Sequence, residues 1–414
     1  MSTYRSICIL LLTTAVTLEC TRGTENNEVQ VSTATSKPLF CFFTNWAQYR
    51  QGMGKFFPEQ VDPHLCTHGV YAFAKLNGNQ LAPYEWDDDS TPWKKGLYER
   101  FNDLKKINPN FKTLLAVGGW NMKSEPFSQM AATKESRREF VMTSIQFLRN
   151  RTFDGLLLDW EYPGSRGGKP SDINTFTELL QELQAAYTEE AKNSNKTKLL
   201  LTSAVAAGLK YIKYAYDVPK ISKTLDYVLV MSYDLMGPWA NVTGLNSPLY
   251  PFKGAKGPDT QLNVEWVMKY WEKNGSPKNK LIVGLPTYGH TFTLVDDKDC
   301  GIGAPDKGAG PAGTFTRQAG FLAYYEICSL LKQGYKYVMD DTAKVPYAYG
   351  KAQYGGMEWI SFDNQISLKT KVEWIKAQGY AGAFTWDYAL DDFSGAGCGQ
   401  GKYPLHNVIK NGLM

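Results

Sequence analysis

The sequence is poor in the residues that build metal centres. It has four histidines, His64, His68, His290 and His406, scattered too widely for the ligand spacings of a zinc site. No segment beyond the N-terminal region is long and apolar enough to span a bilayer. Basic runs are missing too. Lys and Arg number 45 against 41 Asp and Glu, a net charge of +4, and no basic stripe offers a footprint for nucleic acid. The glycine-rich stretch GAGPAG at 308–313 lacks a Lys-Ser/Thr ending and starts no helix, so it is not a phosphate loop. Internal repeats and low-complexity tracts do not stand out. Together these absences leave a chain expected to need no metal and no cofactor.

What is abundant is aromatic. Phe, Trp and Tyr make up 14% of the residues, with 11 Trp and 25 Tyr. Such rings fill cores, and they also form the flat stacking surfaces of sugar-binding clefts. The first residues, MSTYRSICILLLTTAVTLECTRG, combine a positive Arg5 with a short apolar run from Ile7 to Leu18. That pattern reads as a secretory signal peptide over 1–22, with an N-terminal anchor as the alternative. A polar leader follows at 23–37. Secretion, an extracellular location and no membrane contact after signal removal are the expectation. Removing the signal leaves five cysteines, Cys41, Cys66, Cys300, Cys328 and Cys398. An oxidising compartment would pair most of them and leave one over. N-x-S/T sequons at Asn150, Asn195 and Asn241 fit the same route as glycosylation sites, although such triplets are common by chance.

Apolar runs of strand character recur at 39–46, 66–76, 112–120, 153–162, 198–208, 225–234, 280–289 and 380–388. Helical patterns such as 135–150 and 172–192 lie between most of them. Eight strands alternating with helices predict an α/β fold, an eight-stranded (β/α)8 TIM barrel. The alternation breaks once. A stretch rich in Gly, Asp and Tyr, with one helix-like patch at 322–334, is too long for a simple connection. We therefore expect the barrel at 38–290 and 359–414, with a small α+β module inserted at 291–358 after strand seven. Polar and aromatic residues gather at the C-terminal ends of the strands: Trp46, Phe73, Trp120, Asp159, Glu161, Tyr162, Met231, Tyr233, Asp234, Tyr288 and Trp386. That rim is where barrels of this class carry active sites. One such residue reads equally well as core or rim filler; the same bias at seven strands is hard to explain by packing.

The densest signal is FDGLLLDWEYPG at 153–164. With the period of a strand, Leu157, Asp159 and Glu161 share one face and Leu156, Leu158 and Trp160 the other. Two acids on one face of an apolar strand are costly to bury.

At these residues the chain resembles glycoside hydrolase family 18, the chitinases and chitinase-like lectins of animals. FTNWAQYR (43–50), LLAVGGWN (114–121), FDGLLLDWEYPGS (153–165), VMSYDLMGPW (230–239), GLPTYGHTF (284–292) and AFTWDYALDDF (383–393) occur in the family's order. The family's strand reads D-x-x-D-x-D-x-E. Asp154, Asp159 and Glu161 match it, and Leu157 replaces the middle Asp.

The resemblance implies a substrate-assisted retaining mechanism on β-1,4-linked N-acetylglucosamine chains, with the sugar's own acetamido oxygen as nucleophile. Glu161 would be the acid and later the base. Asp159 would hold the acetamido N–H and stabilise the cation, and Tyr233 would bond the acetamido oxygen. Met231 and Asp234 would line the subsite and Trp386 would form the floor. Trp46, Trp120 and Trp239 would extend the stacking cleft, with Phe73, Tyr162, Tyr288 and His290 among the substrate-binding residues. The resemblance further implies Cys41–Cys66 and Cys328–Cys398 disulfides, with Cys300 free.

Leu157 divides the readings. Without a carboxyl below it, Asp159 loses a like charge but sits in drier surroundings, and these push its pKa in opposite directions. Because Glu161 is kept, the first expectation is a slowed chitinase. A chitin-oligosaccharide lectin is the rival, and a matrix protein on a reused scaffold comes third. Chitin or chito-oligosaccharides are the expected partners and a monomer the expected state. No chitin-binding module is read after the barrel, so soluble oligosaccharides should be favoured over crystalline polymer.

Overall fold

The computed structural model describes residues 37–353 and 355–414. The apolar run at 7–18, Cys8, Cys20 and the leader up to residue 36 lie outside the described residues. Fifteen strands are described: β1 Leu39–Thr44, β2 His68–Asn77, β3 Gln80–Ala82, β4 Lys112–Gly118, β5 Gly155–Asp159, β6 Leu200–Val205, β7 Tyr227–Val230, β8 Leu281–Pro286, β9 Tyr288–Leu294, β10 Asp306–Ala309, β11 Phe321–Ala323, β12 Lys336–Asp340, β13 Val345–Lys351, β14 Met357–Ser361 and β15 Gly382–Trp386.

Eight of them form a closed parallel barrel in the order β1-β2-β4-β5-β6-β7-β8-β15. The ring closes where β15 pairs β1 through Leu39 and Ala383. Strands in such a sheet are covered on both faces, so they read as continuous apolar runs rather than alternating ones. LFCFFT of β1 and GLLLD of β5 are buried at every position. Helices surround the ring and start where capping chemistry permits. Thr133 opens the helix Lys134–Asn150 by accepting from Ser136 N–H. Asn364 opens Gln365–Gln378, which stops at Gly379 in the left-handed region with φ 78°.

The second sheet is antiparallel, ordered β10-β9-β14-β13-β12 with β11 on β9. Phe292, Leu294, Val345 and Trp359 give it a small core of its own. Its edges lie slightly outside the range that the sequence pattern suggests. The run 280–289 is not one strand. It breaks at Thr287, whose N–H donates to the Trp386 carbonyl at 3.0 Å and whose hydroxyl donates to the Asp387 carbonyl at 2.7 Å. Tyr288 and His290 therefore belong to β9, and Trp359–Ser361 to its partner β14. Pro286, directly before Thr287, is the one local mark of the change of sheet.

Disulfides join Cys41 to Cys66 and Cys328 to Cys398, and among the described residues Cys300 is free. Among the described residues no helix is long and apolar enough to cross a membrane.

Candidate active site

The site is assembled at the C-terminal rim of the barrel. β5 delivers its two acids there. Asp159 is the strand's last residue, 3% exposed, and Glu161 follows it at 8%. Leu157 lies beneath them, fully buried, in register with Ala116 of β4 and Thr202 of β6. A hydrophobic side chain fills the place below Asp159, and its Oδ1 has no hydrogen-bond partner.

That environment decides the direction the sequence left open. Burial pushes the Asp159 carboxyl well above the usual range, and the charge of Glu161 adds to the push. Both effects favour the protonated form of Asp159. Burial also raises Glu161, to about 7; a hydrogen bond from Tyr162 and the positive Arg166 oppose that rise, and Asp234 adds to it. A carboxyl that keeps its proton near neutral pH is fit to act as a general acid.

β4 ends in two glycines with φ 122° and 83°. A Cβ on Gly118 would lie 2.0 Å from the Asp159 carbonyl, and one on Gly119 would lie 2.6 Å from the Phe73 ring. Only glycine fits at either place. The close approach lets Gly119 N–H donate to the Asp159 carbonyl at 2.9 Å. Trp120 then swings out from the barrel, 57% exposed.

On the opposite side, Tyr233 packs between Tyr288 and Phe384 at ring distances of 6.1 and 5.8 Å. Burial raises its hydroxyl well above the ordinary value, and the charges of Asp234, Asp159 and Glu161 add to this. Asp234 sits at φ 54°, its N–H held by the Asn246 side chain at 2.8 Å. Its Oδ1 receives the Tyr288 hydroxyl and lies 2.7 Å from His290 Nε2. The other nitrogen of His290 lies 3.1 Å from the Gly320 carbonyl. Both ring nitrogens thus face acceptors, and a cationic ring would donate to both. His290 is itself buried and braces Asp234 from below, whereas Trp239 stands edge-on to it at 5.1 Å and is 60% exposed.

The floor is aromatic. Trp46, Phe73 and Trp386 form a triangle of rings with centroids 5.9, 6.0 and 6.0 Å apart. Phe42 supports Trp386 from inside the barrel at 5.2 Å. Trp46 is 37% exposed. Tyr162 rests on Tyr211 at 4.4 Å. Trp46, Trp120 and Trp239 are exposed in loops that follow barrel strands, on the same rim as the buried acids, whereas the matching first acid, Asp154, lies at the far end of β5. It bonds Thr113 N–H at 2.8 Å and Lys105 at 3.1 Å.

A protein-family model described as glycosyl hydrolases family 18 matches residues 38–391. The chain belongs to that family. Mouse chitotriosidase-1 is 43% identical over 385 residues, 93% of this chain and 80% of the relative. A solved structure described as an immunomodulatory active chitinase from Trichuris suis is 42% identical with a TM-score of 0.86, covering 91% of this chain and all of that one. Human YKL-39, described as a pseudo-chitinase with retained chitooligosaccharide binding properties, is 40% identical with a TM-score of 0.85, again over 91% of this chain and 100% of that chain. Family 18 thus contains both active and inactive relatives at nearly equal distance from this chain.

The sequence pattern missed several residues beside those it predicted. Tyr49 follows Trp46 by three positions in one short 3₁₀ turn, a spacing that puts both on one side. Its hydroxyl donates to Glu85 at 2.6 Å, next to Trp86, which is 75% exposed. The turn spacing was available in the sequence; the loop carrying Glu85 and Trp86 has no periodicity to read. Arg166, five residues past Glu161, was likewise invisible in an irregular turn.

Proposed function

We propose that this family 18 chain is a secreted glycosidase. It cleaves β-1,4-linked N-acetylglucosamine chains with retention, and more slowly than a protein with an acid at the position of Leu157. The observation that carries this reading is Glu161, a buried carboxyl whose pKa is lifted to about 7 at the rim of the barrel. Glu161 gives its proton to the glycosidic oxygen and later takes one from water. The acetamido oxygen attacks the anomeric carbon, steadied by the Tyr233 hydroxyl. Asp159 accepts the acetamido N–H through its carbonyl oxygen. Trp386 forms the floor, Met231 and Asp234 line the subsite beside it, and Trp46, Trp120 and Trp239 stack further sugars. The slowing follows from Asp159: a neutral acid cannot offset the positive charge of the intermediate, and Leu157 offers no group to take its proton.

A second reading rests on that same feature. A partnerless Asp159 above Leu157, with the aromatic surfaces kept, also suits a protein that binds chito-oligosaccharides without cutting them. Secretion is supported by the apolar run at 7–18 and by two disulfides. The sequons at Asn150, Asn195 and Asn241 are all exposed, as glycan attachment requires. The chain is taken to act as a monomer.

The test is hydrolysis of chitin tetra- and hexasaccharide by the purified protein, followed over hours by mass spectrometry, with Glu161→Gln as control. Products from the native protein alone are the expected result. Binding without products would make the chain a lectin.

A further inference from the structure

Arg166 has no part in the proposed chemistry, yet it touches the proposed acid, Glu161, and a proposed stacking platform, Trp120. After Glu161 the chain turns sharply. Ser165 N–H donates to the Tyr162 carbonyl and Gly168 N–H to the Ser165 carbonyl, each at 2.9 Å, and Arg166 takes φ 50°. Its side chain folds back over the cleft wall. The guanidinium carbon lies 3.3 Å from the centroid of the Trp120 ring, so one face of the indole is covered. Nη2 donates to the Trp120 carbonyl at 2.8 Å and Nη1 to the Glu161 carbonyl at 3.0 Å. Those carbonyls belong to the loops after neighbouring strands, β4 and β5. A second link, Ser124 Oγ donating to the Tyr162 carbonyl at 2.8 Å, joins the same two loops.

A guanidinium is flat and carries donors in a fixed fork, so it can stack and bond in one geometry where an ammonium cannot. Trp120 remains 57% exposed although one face is covered, so the other face is the open one. We infer that Arg166 is a positioning residue: it fixes the tilt of the Trp120 platform relative to the Glu161 loop and so controls affinity for the oligosaccharide without touching it. The inference rests on the sugar-binding reading above. Its positive charge also opposes the lift of the Glu161 pKa.

A double-mutant cycle on chitohexaose binding tests it, measured by calorimetry on the full chain carrying Glu161→Gln so that nothing is cleaved. Arg166→Met keeps the stem and removes the fork; it should weaken binding about fivefold. In a Trp120→Ala background the same change should cost less than about twofold, because the platform it sets is gone. Arg166→Lys keeps the charge and should restore less than half of the loss; it carries the same comparison if the Met variant does not fold. An equal loss with and without Trp120, or no loss at all, would overturn the inference, since a residue that only stabilises the turn would move the melting temperature and not the coupling. If the parent protein binds no chitohexaose, the sugar-binding reading falls and takes this inference with it. If it binds and the cycle shows no coupling, only the role of Arg166 falls.

Discussion

β5 carries an acid at each end of its motif, and the two ends treat their acids oppositely. Asp154 precedes the strand at the bottom of the barrel. Its Oδ2 receives Thr113 N–H at 2.8 Å, the Thr113 hydroxyl at 3.3 Å and Lys105 at 3.1 Å. Asp159 closes the strand at the top, 3% exposed, with one oxygen unpartnered. The lower acid is a finished structural joint. The upper one is left unsatisfied, as groups at working sites often are. The two ends of one short strand thus differ in burial and in the partners within reach of each carboxyl.

The sharpest way to break this contrast is to give Asp159 a partner. Leu157→Asp places a carboxyl directly below it. Two close acids share a proton, so Asp159 can pass its own downward and turn ionised toward the substrate. Turnover should rise by about 10²-fold, the size of effect usual for one electrostatic or acid-base group. The variant should also be less stable by about 2–3 kcal/mol, because a fully buried Leu becomes polar. Initial rates on chitotetraose, with a urea melt, measure both. An unchanged rate would mean that Asp159 does not limit the reaction.

The next effect is on pH. In the proposed mechanism Glu161 must be protonated to act, and burial lifts its pKa to about 7. kcat/KM should hold up to neutrality and then fall about tenfold per pH unit above it. The same shift governs stability. The folded carboxyl binds its proton more tightly than the unfolded one, so the stability it lends is full below the ordinary carboxylate range and is lost as pH rises through 7. Glu161→Gln should therefore melt higher than the native protein at pH 8, with the gap closing toward pH 4. An equal gap at both pH values would show that the carboxyl is not shifted.

Much of this was legible in the sequence, for reasons that differ by region. The barrel strands announce themselves because a sheet covered on both faces must be apolar throughout, as in LFCFFT and GLLLD. Asp159 and Glu161 stand out because acids inside such a run are rare. The break at Thr287 was missed, although Pro286 stands directly before it and YGHTFTL beyond it is more polar than LIVGLP; both halves are buried, so no exposed turn marks the change of sheet. The bracing of Asp234 by His290 was not legible, because the partners lie 56 positions apart in sequence. Arg166 and Trp86 sit in loops, where contacts come from chain geometry and leave no periodic trace. The sequence did pose the question at Leu157, but only the packing showed that dryness outweighs the missing charge.

The smallest effect belongs to the lower acid. Asp154→Ala should leave kcat and the pH profile within about twofold of the native values, because the side chain reaches nothing in the cleft. It should lower stability by about 1–2 kcal/mol, mostly from stranding the N–H of buried Thr113. The Lys105 pair adds little, since both of its side chains are partly in water, at 23% and 30% exposed. Asp154→Asn keeps an oxygen for Thr113 and should recover most of the loss, which chemical denaturation of the two variants will measure. If either change moves the pH at which activity falls, the two ends of β5 are coupled through the strand and the contrast drawn between them fails. If only the melt moves, the lower acid serves the barrel and the two ends of β5 act independently.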